Sequence, residues 1–333
     1  MNQNFYRAIF LKPLKLVLKN KFLWVLGLFA LFLAGDGYDF ISTNFSEILT
    51  NRDSIIWRVY DTGLFQPASL VNLQNIISAD PLAIVASLLI LIFIISIFFL
   101  FIWLSVISQG GIVYSIFKLN NKEKIGLARS IKIGRNNFWQ ILNLNIINKS
   151  IVWSVSFLFG LFYFAFLIKN ISFFAWFLIS IIFILIILFV SLITKYALSF
   201  IILQKKNYLS AIKAGFNLFL NNWVVTIETI FFLFIVNFIA QIAIKWIILI
   251  LLLPISSMGV FSIFLSNGVS FAFLFIFIPI LTSLIALWIL AILIAYNYTV
   301  WISIFIKLTN KEKQISLIGK LFNKIKYYER KRQ

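Results

Sequence analysis

Long apolar stretches separated by short polar ones dominate the pattern of this 333-residue chain. No Asp, Glu, Lys or Arg occurs in residues 82–108, 171–194, 229–244 or 246–306. A helix needs about 20 apolar residues to cross the hydrocarbon core of a bilayer. Backbone groups in lipid must be bonded within a helix or a closed barrel, and the alternating polar pattern of barrel strands is missing. The sequence therefore predicts an all-α, polytopic bundle of transmembrane helices.

Six spans are predicted, which places both termini on the same side of the membrane. Their approximate limits are 21–35, 82–108, 147–168, 171–203, 224–244 and 279–306.

Two of these regions allow a second interpretation. The stretch "NKFLWVLGLFALFLAG" has the basic start and apolar centre of a cleaved signal peptide, but a basic helix followed by a span recurs twice downstream, which favours a retained helix. Residues 245–279 are apolar, yet Pro254, Gly259 and Gly268 interrupt them. Because proline and glycine break helices, we expect an extended fifth helix followed by an interfacial or re-entrant segment.

Basic amphipathic stretches recur between the spans. "KLNNKEK" at 118–124 and "KLTNKEK" at 307–313 each follow an even-numbered span, and "SIKIGRNNFW" at 130–139 resembles "AIKAGFNLFLNNW" at 211–223. Apolar residues in both regions fall at helical spacing on one face. These matches favour a threefold repeat of basic helix, outward span, loop and returning span, with a fourth basic helix at the end. The alternative is that the basic helices are ordinary connectors.

Composition and charge place these stretches. The chain is 62% hydrophobic with a net charge of +19, and 23 of its 29 basic residues fall in four segments, whereas six of its ten acidic residues lie between 36 and 80. Under the positive-inside rule, 36–81 is an outer loop, and 109–146, 204–223 and 307–333 are cytoplasmic basic amphipathic segments. Residues 1–333 then form one integral domain of the cytoplasmic membrane, with both termini inside.

The basic charge therefore predicts contact with anionic lipid headgroups, with a protein partner on the cytoplasmic side as a further possibility. Nucleic acid is not expected, because no soluble domain is present to bind it. The residues predicted to face lipid headgroups are Lys12, Lys15, Lys132, Arg135, Lys213, Lys320 and Lys324.

Few residues suggest catalytic chemistry. The chain contains no cysteine and no histidine, which excludes thiolate and imidazole chemistry. No glycine-rich phosphate loop and no nucleophile with a neighbouring base is recognisable. We therefore expect no enzymatic activity, no cofactor and no metal.

Ionisable and amide side chains within the spans form the one candidate site. A charge in hydrocarbon costs at least about 2.5 to 3.5 kcal/mol on insertion scales, so such residues carry a function or a structural pairing. The proposed intramembrane ring consists of Gln109, Lys149, Lys195, Glu228 and Asn297. It could bind a polar or anionic ligand; the alternative is a snorkelling lysine or a Lys195–Glu228 pair that only holds helices together.

Four stretches resemble a known family: "NKFLWVLGLFALFLAG", "SQGGIVYSIFK", "SIKIGRNNFWQIL" and "LQKKNYLSAIKAGFNLFLNNW". They are similar to uncharacterised bacterial six-span proteins related to the membrane domain fused to some glycerophosphoryl diester phosphodiesterases. The resemblance implies a six-helix bundle in the cytoplasmic membrane, and no catalytic residue, since the phosphodiesterase activity belongs to a separate soluble domain.

Two functions follow as expectations. One is a non-enzymatic membrane scaffold whose basic inner face engages anionic lipids or a protein partner. The other is a transporter or channel for a small polar or anionic solute that uses the intramembrane ring. Polar residues away from the midplane and helix breaks confined to one region favour the scaffold.

Overall fold

The computed structural model describes residues 10–34, 81–169, 173–265 and 268–310. Along this part of the chain the elements are nine α-helices, in agreement with the predicted all-α fold. They are α1 Lys12–Lys19, α2 Phe22–Ala34, α3 Pro81–Asn120, α4 Leu127–Asn136, α5 Phe138–Lys169, α6 Phe173–Gln204, α7 Tyr208–Asn221, α8 Trp223–Leu265 and α9 Gly268–Thr309.

Five helices are long and apolar enough to cross a bilayer, so the chain is a multi-pass membrane protein. Their spanning segments are Leu88–Asn120, Phe138–Tyr163, Phe174–Gln204, Trp223–Ile250 and Ile280–Thr309. These segments correspond to the second to sixth predicted spans.

The first predicted span, 21–35, is represented by α2. This helix has 13 residues, or about 20 Å at 1.5 Å per residue, which is shorter than a hydrocarbon core of about 30 Å. It reaches the length of a span only together with α1, which is bent from α2 by 103°. The predicted count of six therefore holds when this broken pair is counted as one span.

Residues 245–279 differ from the expectation in one respect. The fifth long helix is extended, as predicted, but α8 continues through Pro254 and Gly259 to Leu265. The next helix begins at Gly268. That part of this region is interfacial or re-entrant stays a prediction. A proline interrupts only one backbone hydrogen bond, and membrane helices tolerate this when neighbouring groups satisfy the freed carbonyl.

The chain divides into two compact units. The first comprises the described parts of Met1–Ala34, Leu104–Ile146 and Leu192–Gln333, and the second those of Gly35–Trp103 and Ile147–Ser191. In the second unit, aromatic side chains of α5 and α6 pack together. Phe159 and Phe183 have ring centroids 5.4 Å apart, and Phe166 and Trp176 have centroids 5.5 Å apart.

The core of the first unit lies between α2, α3, α5, α6 and α9. Its largest fully buried side chains are Leu23, Leu26, Ile107, Ile112, Ile116, Ile141, Leu144, Tyr196, Ile201, Ile302 and Ile304. Helices α6 and α9 meet through edge-to-face aromatic pairs, with centroids 5.8 Å apart for Tyr196 and Trp301 and 4.8 Å apart for Phe200 and Phe305. Such pairs contribute about 0.5–1.5 kcal/mol beyond their buried area.

Candidate functional site

Three short helices, α1, α4 and α7, lie in three of the four basic segments of the sequence, and each packs within the first unit by a narrow face. In each of them two residues are buried, four positions apart. The buried pairs are Pro13 and Val17 in α1, Ser130 and Gly134 in α4, and Ala211 and Gly215 in α7. None of these six side chains is large, and only Ser130 has a polar group.

Helix α4 lies directly against the backbone of α3. A Cβ atom on Gly134 would overlap the carbonyl oxygen of Ile107, and a Cβ on Gly110 of α3 would come within 3.0 Å of the Gly134 Cα. The hydroxyls of Ser130 and Ser115 are hydrogen-bonded at 2.6 Å in the same contact. Small residues allow this close approach, which is the usual way in which helices associate in lipid.

Helix α7 packs on α6 in the same manner. A Cβ on Gly215 would lie 2.9 Å from the carbonyl oxygen of Ile193 and 3.1 Å from the amide nitrogen of Ala197. Distances of this kind are tighter than ordinary van der Waals contact, so glycine is required for the observed packing.

Helix α1 packs on α9, the last helix of the described chain. Since α4 packs on α3 and α7 on α6, each short helix lies against an even-numbered span. The indole nitrogen of Trp24 donates a hydrogen bond to the carbonyl oxygen of Val17 at 2.9 Å, which holds α1 across the start of α2. The bend of 103° means that α1 runs nearly perpendicular to α2.

The short helices also end alike. Each is followed by an asparagine whose side-chain nitrogen donates to the carbonyl oxygen four residues earlier, which satisfies a carbonyl that the helix end leaves open. The bonds are Asn20 to Leu16 at 2.8 Å, Asn137 to Ile133 at 2.9 Å and Asn222 to Leu218 at 3.1 Å. The shared burial, packing and caps support the threefold unit that the sequence predicted.

The outward faces of the short helices are basic and apolar together. Their lysines and arginines are exposed, and we call them the basic surface: Lys12, Lys15, Lys19, Arg129, Lys132, Arg135 and Lys213. Large apolar side chains are exposed beside them, including Leu18 at 49%, Ile131 at 38% and Leu209 at 62%. Four predicted lipid-facing residues of α1 and α4 (Lys12, Lys15, Lys132, Arg135) and Lys213 of α7 lie on this surface, while Lys320 and Lys324 lie outside the described residues.

Members of the predicted intramembrane ring have partners on different helices. Gln109 is buried, and its carbonyl oxygen accepts a hydrogen bond at 2.8 Å from the side-chain nitrogen of Asn145. The side-chain nitrogen of Asn297 donates to the carbonyl oxygen of Asn237 at 3.1 Å. Both contacts join neighbouring helices, α3 to α5 and α8 to α9.

The charged members of the ring are all half-buried. The ammonium of Lys195 lies 5.2 Å from the centroid of the Trp301 ring, within the range of a cation–π interaction. Lys195 and Glu228 belong to the first compact unit and Lys149 to the second. The Lys195–Glu228 pair and the ring as one binding site remain predictions.

Sequence reasoning missed three polar contributors to these contacts. Asn145, Asn237 and Tyr196 were not singled out, although the Tyr196 hydroxyl is hydrogen-bonded at 2.9 Å to that of Thr226. The sequence spacing could have pointed to two of these contacts: Asn145 follows Gly134 by 11 residues, and Thr226, the partner of Tyr196, follows Gly215 by 11 residues. Each therefore joins its odd-numbered span to the preceding even-numbered one.

Comparison with known proteins gives no relative from which a function could be transferred. No family model, no curated protein and no solved structure matches this chain. In the part of the chain that the structure describes, no group of three or more His, Cys, Asp or Glu side chains is placed to hold a metal.

Proposed function

We propose that this protein is a non-enzymatic scaffold of the cytoplasmic membrane whose basic surface binds anionic phospholipid headgroups. One observation carries the proposal: the three short helices pack through narrow faces and leave both their cations and large apolar side chains exposed. A helix with this pattern is stable where the apolar side chains enter the acyl region and the cations meet phosphates, as in the interface of a bilayer.

Aromatic residues at the same level support this placement. Trp139 and Trp223 stand at the starts of α5 and α8, directly after the short helices, and are 71% and 55% exposed. Tryptophan is enriched at the boundary between headgroups and hydrocarbon. Each lysine or arginine near an anionic surface contributes about 1 kcal/mol to binding, so seven such residues provide substantial attraction.

The cytoplasmic side is proposed from the distribution of charge. Because the native chain has no cysteine, single cysteines at Ser46 and Asn121 can be labelled cleanly with an impermeant maleimide in intact cells. Labelling at Ser46 alone is expected, and labelling at Asn121 alone would invert the orientation. The relationship to the membrane domain of phosphodiesterases, with its bacterial origin, is likewise part of the proposal.

A transporter or channel is the second candidate, and the polar contacts within the bundle argue against it. Gln109 with Asn145, and Tyr196 with Thr226, use their hydrogen-bonding groups on one another rather than presenting them to a solute. Interhelical hydrogen bonds of this kind stabilise membrane bundles by about 0.6 kcal/mol on average. They fit a packed scaffold.

Thermal unfolding of the detergent-purified full chain tests the proposal. Added phosphatidylglycerol should raise Tm more than the same amount of phosphatidylcholine, because a ligand that binds only the folded state stabilises it. The difference should shrink as salt is raised, since exposed charges are screened. Equal stabilisation by both lipids at low salt would overturn the proposal.

A further inference from the structure

The three short helices share one lysine position. It lies two residues after the first buried residue and two before the second, and it is occupied by Lys15 in α1, Lys132 in α4 and Lys213 in α7. No other position of these helices holds a cation in all three; two residues after the buried pair, for example, stand Lys19, Asn136 and Asn217. The lysine is therefore the cation common to all three repeats.

Helical geometry sets the direction of this lysine. At 3.6 residues per turn, a residue midway between two positions four apart lies about 180° from the middle of that pair. Each lysine therefore projects from the face opposite the packed one, away from the bundle. All three are exposed, as this placement requires.

The residues on either side of each lysine are apolar. They are Leu14 and Leu16 in α1, Ile131 and Ile133 in α4, and Ile212 and Ala214 in α7. Leu14 and Ile131 are exposed at 39% and 38%. An ammonium between outward apolar side chains fits the phosphate of a lipid, whose acyl chains cover the apolar flank, better than a fully hydrated anion.

The charge around the three lysines differs between the repeats. Lys12 and Lys19 lie three and four residues from Lys15, on the same side of α1, and two arginines stand three residues before and after Lys132. Around Lys213 the corresponding positions hold Ser210, Phe216 and Asn217. Since residues three and four apart are neighbours on a helix surface, the positions in α1 and α4 offer three cations and the position in α7 offers one.

We propose that Lys15, Lys132 and Lys213 are the centres of three separate binding sites, each for the phosphate of one anionic phospholipid. This inference rests on the proposed function and adds to it a number of sites and an order of affinity. The sites on α1 and α4 bind more tightly than the site on α7. The loss of one lysine lowers the affinity of its own site by about fivefold and leaves the others unchanged.

Native mass spectrometry of the full chain, released from detergent with phosphatidylglycerol, counts the bound lipids. Three retained lipids are expected for the native chain. Each of Lys15→Gln, Lys132→Gln and Lys213→Gln should raise the apparent Kd of one of the three binding steps by about fivefold, and the triple variant should raise all three. The matched control is Lys21→Gln with Lys122→Gln and Lys124→Gln, which removes the same charge from exposed lysines outside the three helices. Equal Tm values without lipid show that all variants are folded.

The outcomes separate the two proposals. If the triple variant and its control lose lipid equally, the charge acts diffusely and the three-site inference is wrong, while binding of anionic lipid stands. If phosphatidylcholine is retained as well as phosphatidylglycerol, the proposed function itself fails. If free inorganic phosphate at the same concentration displaces the lipid from the native chain, the sites belong to a soluble anion, which also overturns the inference.

Discussion

The contact between Gly134 and the backbone of α3 can be tested by adding one methyl group. In Gly134→Ala the new Cβ would overlap the carbonyl oxygen of Ile107 and lie 2.9 Å from its carbonyl carbon and 3.1 Å from its Cα. These are backbone atoms of a long helix, so no side-chain rotation relieves the overlap. Helix α4 must move away from α3, which also disturbs the hydrogen bond between Ser130 and Ser115.

Two opposing effects determine the size of the loss. Overpacking a close contact costs about 1–3 kcal/mol, and contact with backbone places this case in the upper part of that range. Alanine regains up to about 1 kcal/mol through its better helix propensity. The net destabilisation is therefore about 1–2 kcal/mol.

Thermal unfolding in detergent, followed by the fluorescence of the ten tryptophans, measures this loss. Gly215→Ala should show a smaller loss, because its new Cβ would lie 2.9 Å from the Ile193 carbonyl oxygen, a milder overlap than that of Gly134→Ala with Ile107. Gly126→Ser is the control: a Cβ there meets nothing within 4 Å, and serine is a favourable N-cap for α4. A Tm for Gly134→Ala equal to or above that of the native chain would refute the packing of α4 on α3.

Three further changes probe other parts of the account. Lys122 has a left-handed φ of 61° after the end of α3, so Lys122→Gly should raise the free energy of unfolding by up to about 1 kcal/mol, and a lower Tm would contradict the assigned turn. Asn145→Ala leaves the buried Gln109 oxygen without this donor and should cost about 1–2 kcal/mol in the same assay, against no loss if water replaces it. Glu228→Gln should lower the free energy of unfolding by less than the roughly 3–5 kcal/mol of a fully buried pair, with rescue by Lys195→Met, and additive losses would show that the two are not partners.

The positions of the long helices could be predicted from the sequence because lipid imposes a simple requirement. A charge-free run of about 20 residues must be helical to satisfy its backbone, and α3, α6 and α9 contain such runs. The predicted break at Pro254 was wrong, because the helix continues through this residue. The prediction treated proline as a helix breaker, as it is in soluble proteins, although it removes only one backbone hydrogen bond.

The existence of the short helices could also be predicted, but not the face by which they pack. Periodicity drew attention to the large apolar residues, such as Leu209 and Phe216, which are exposed. The packed residues are Ala211 and Gly215 instead. In lipid, burial of a large apolar side chain against protein gains little over contact with acyl chains, whereas small residues allow backbones to approach.

The partners of the polar residues in the spans could not be predicted. A contact such as Gln109 with Asn145 depends on the rotation and depth of two helices that are 36 residues apart in sequence at this point. A single sequence contains the polar residues but not their relative height. The equal spacing of 11 residues from Gly134 to Asn145 and from Gly215 to Thr226 does indicate a common height. This spacing can be recognised only when the two glycines are known to be the buried packing residues.

The depth of the short helices in a bilayer tests the central claim most directly. Because the chain has no cysteine, nitroxide labels can be placed singly at Ile131, Leu209 and, as an aqueous control, Asn121, and the full chain reconstituted in vesicles containing phosphatidylglycerol. Power-saturation EPR should place the first two labels about 5–10 Å below the headgroup boundary, accessible to oxygen and shielded from a water-soluble nickel complex. Labels at Ile131 and Leu209 as open to nickel as the label at Asn121 would contradict a membrane-bound basic surface.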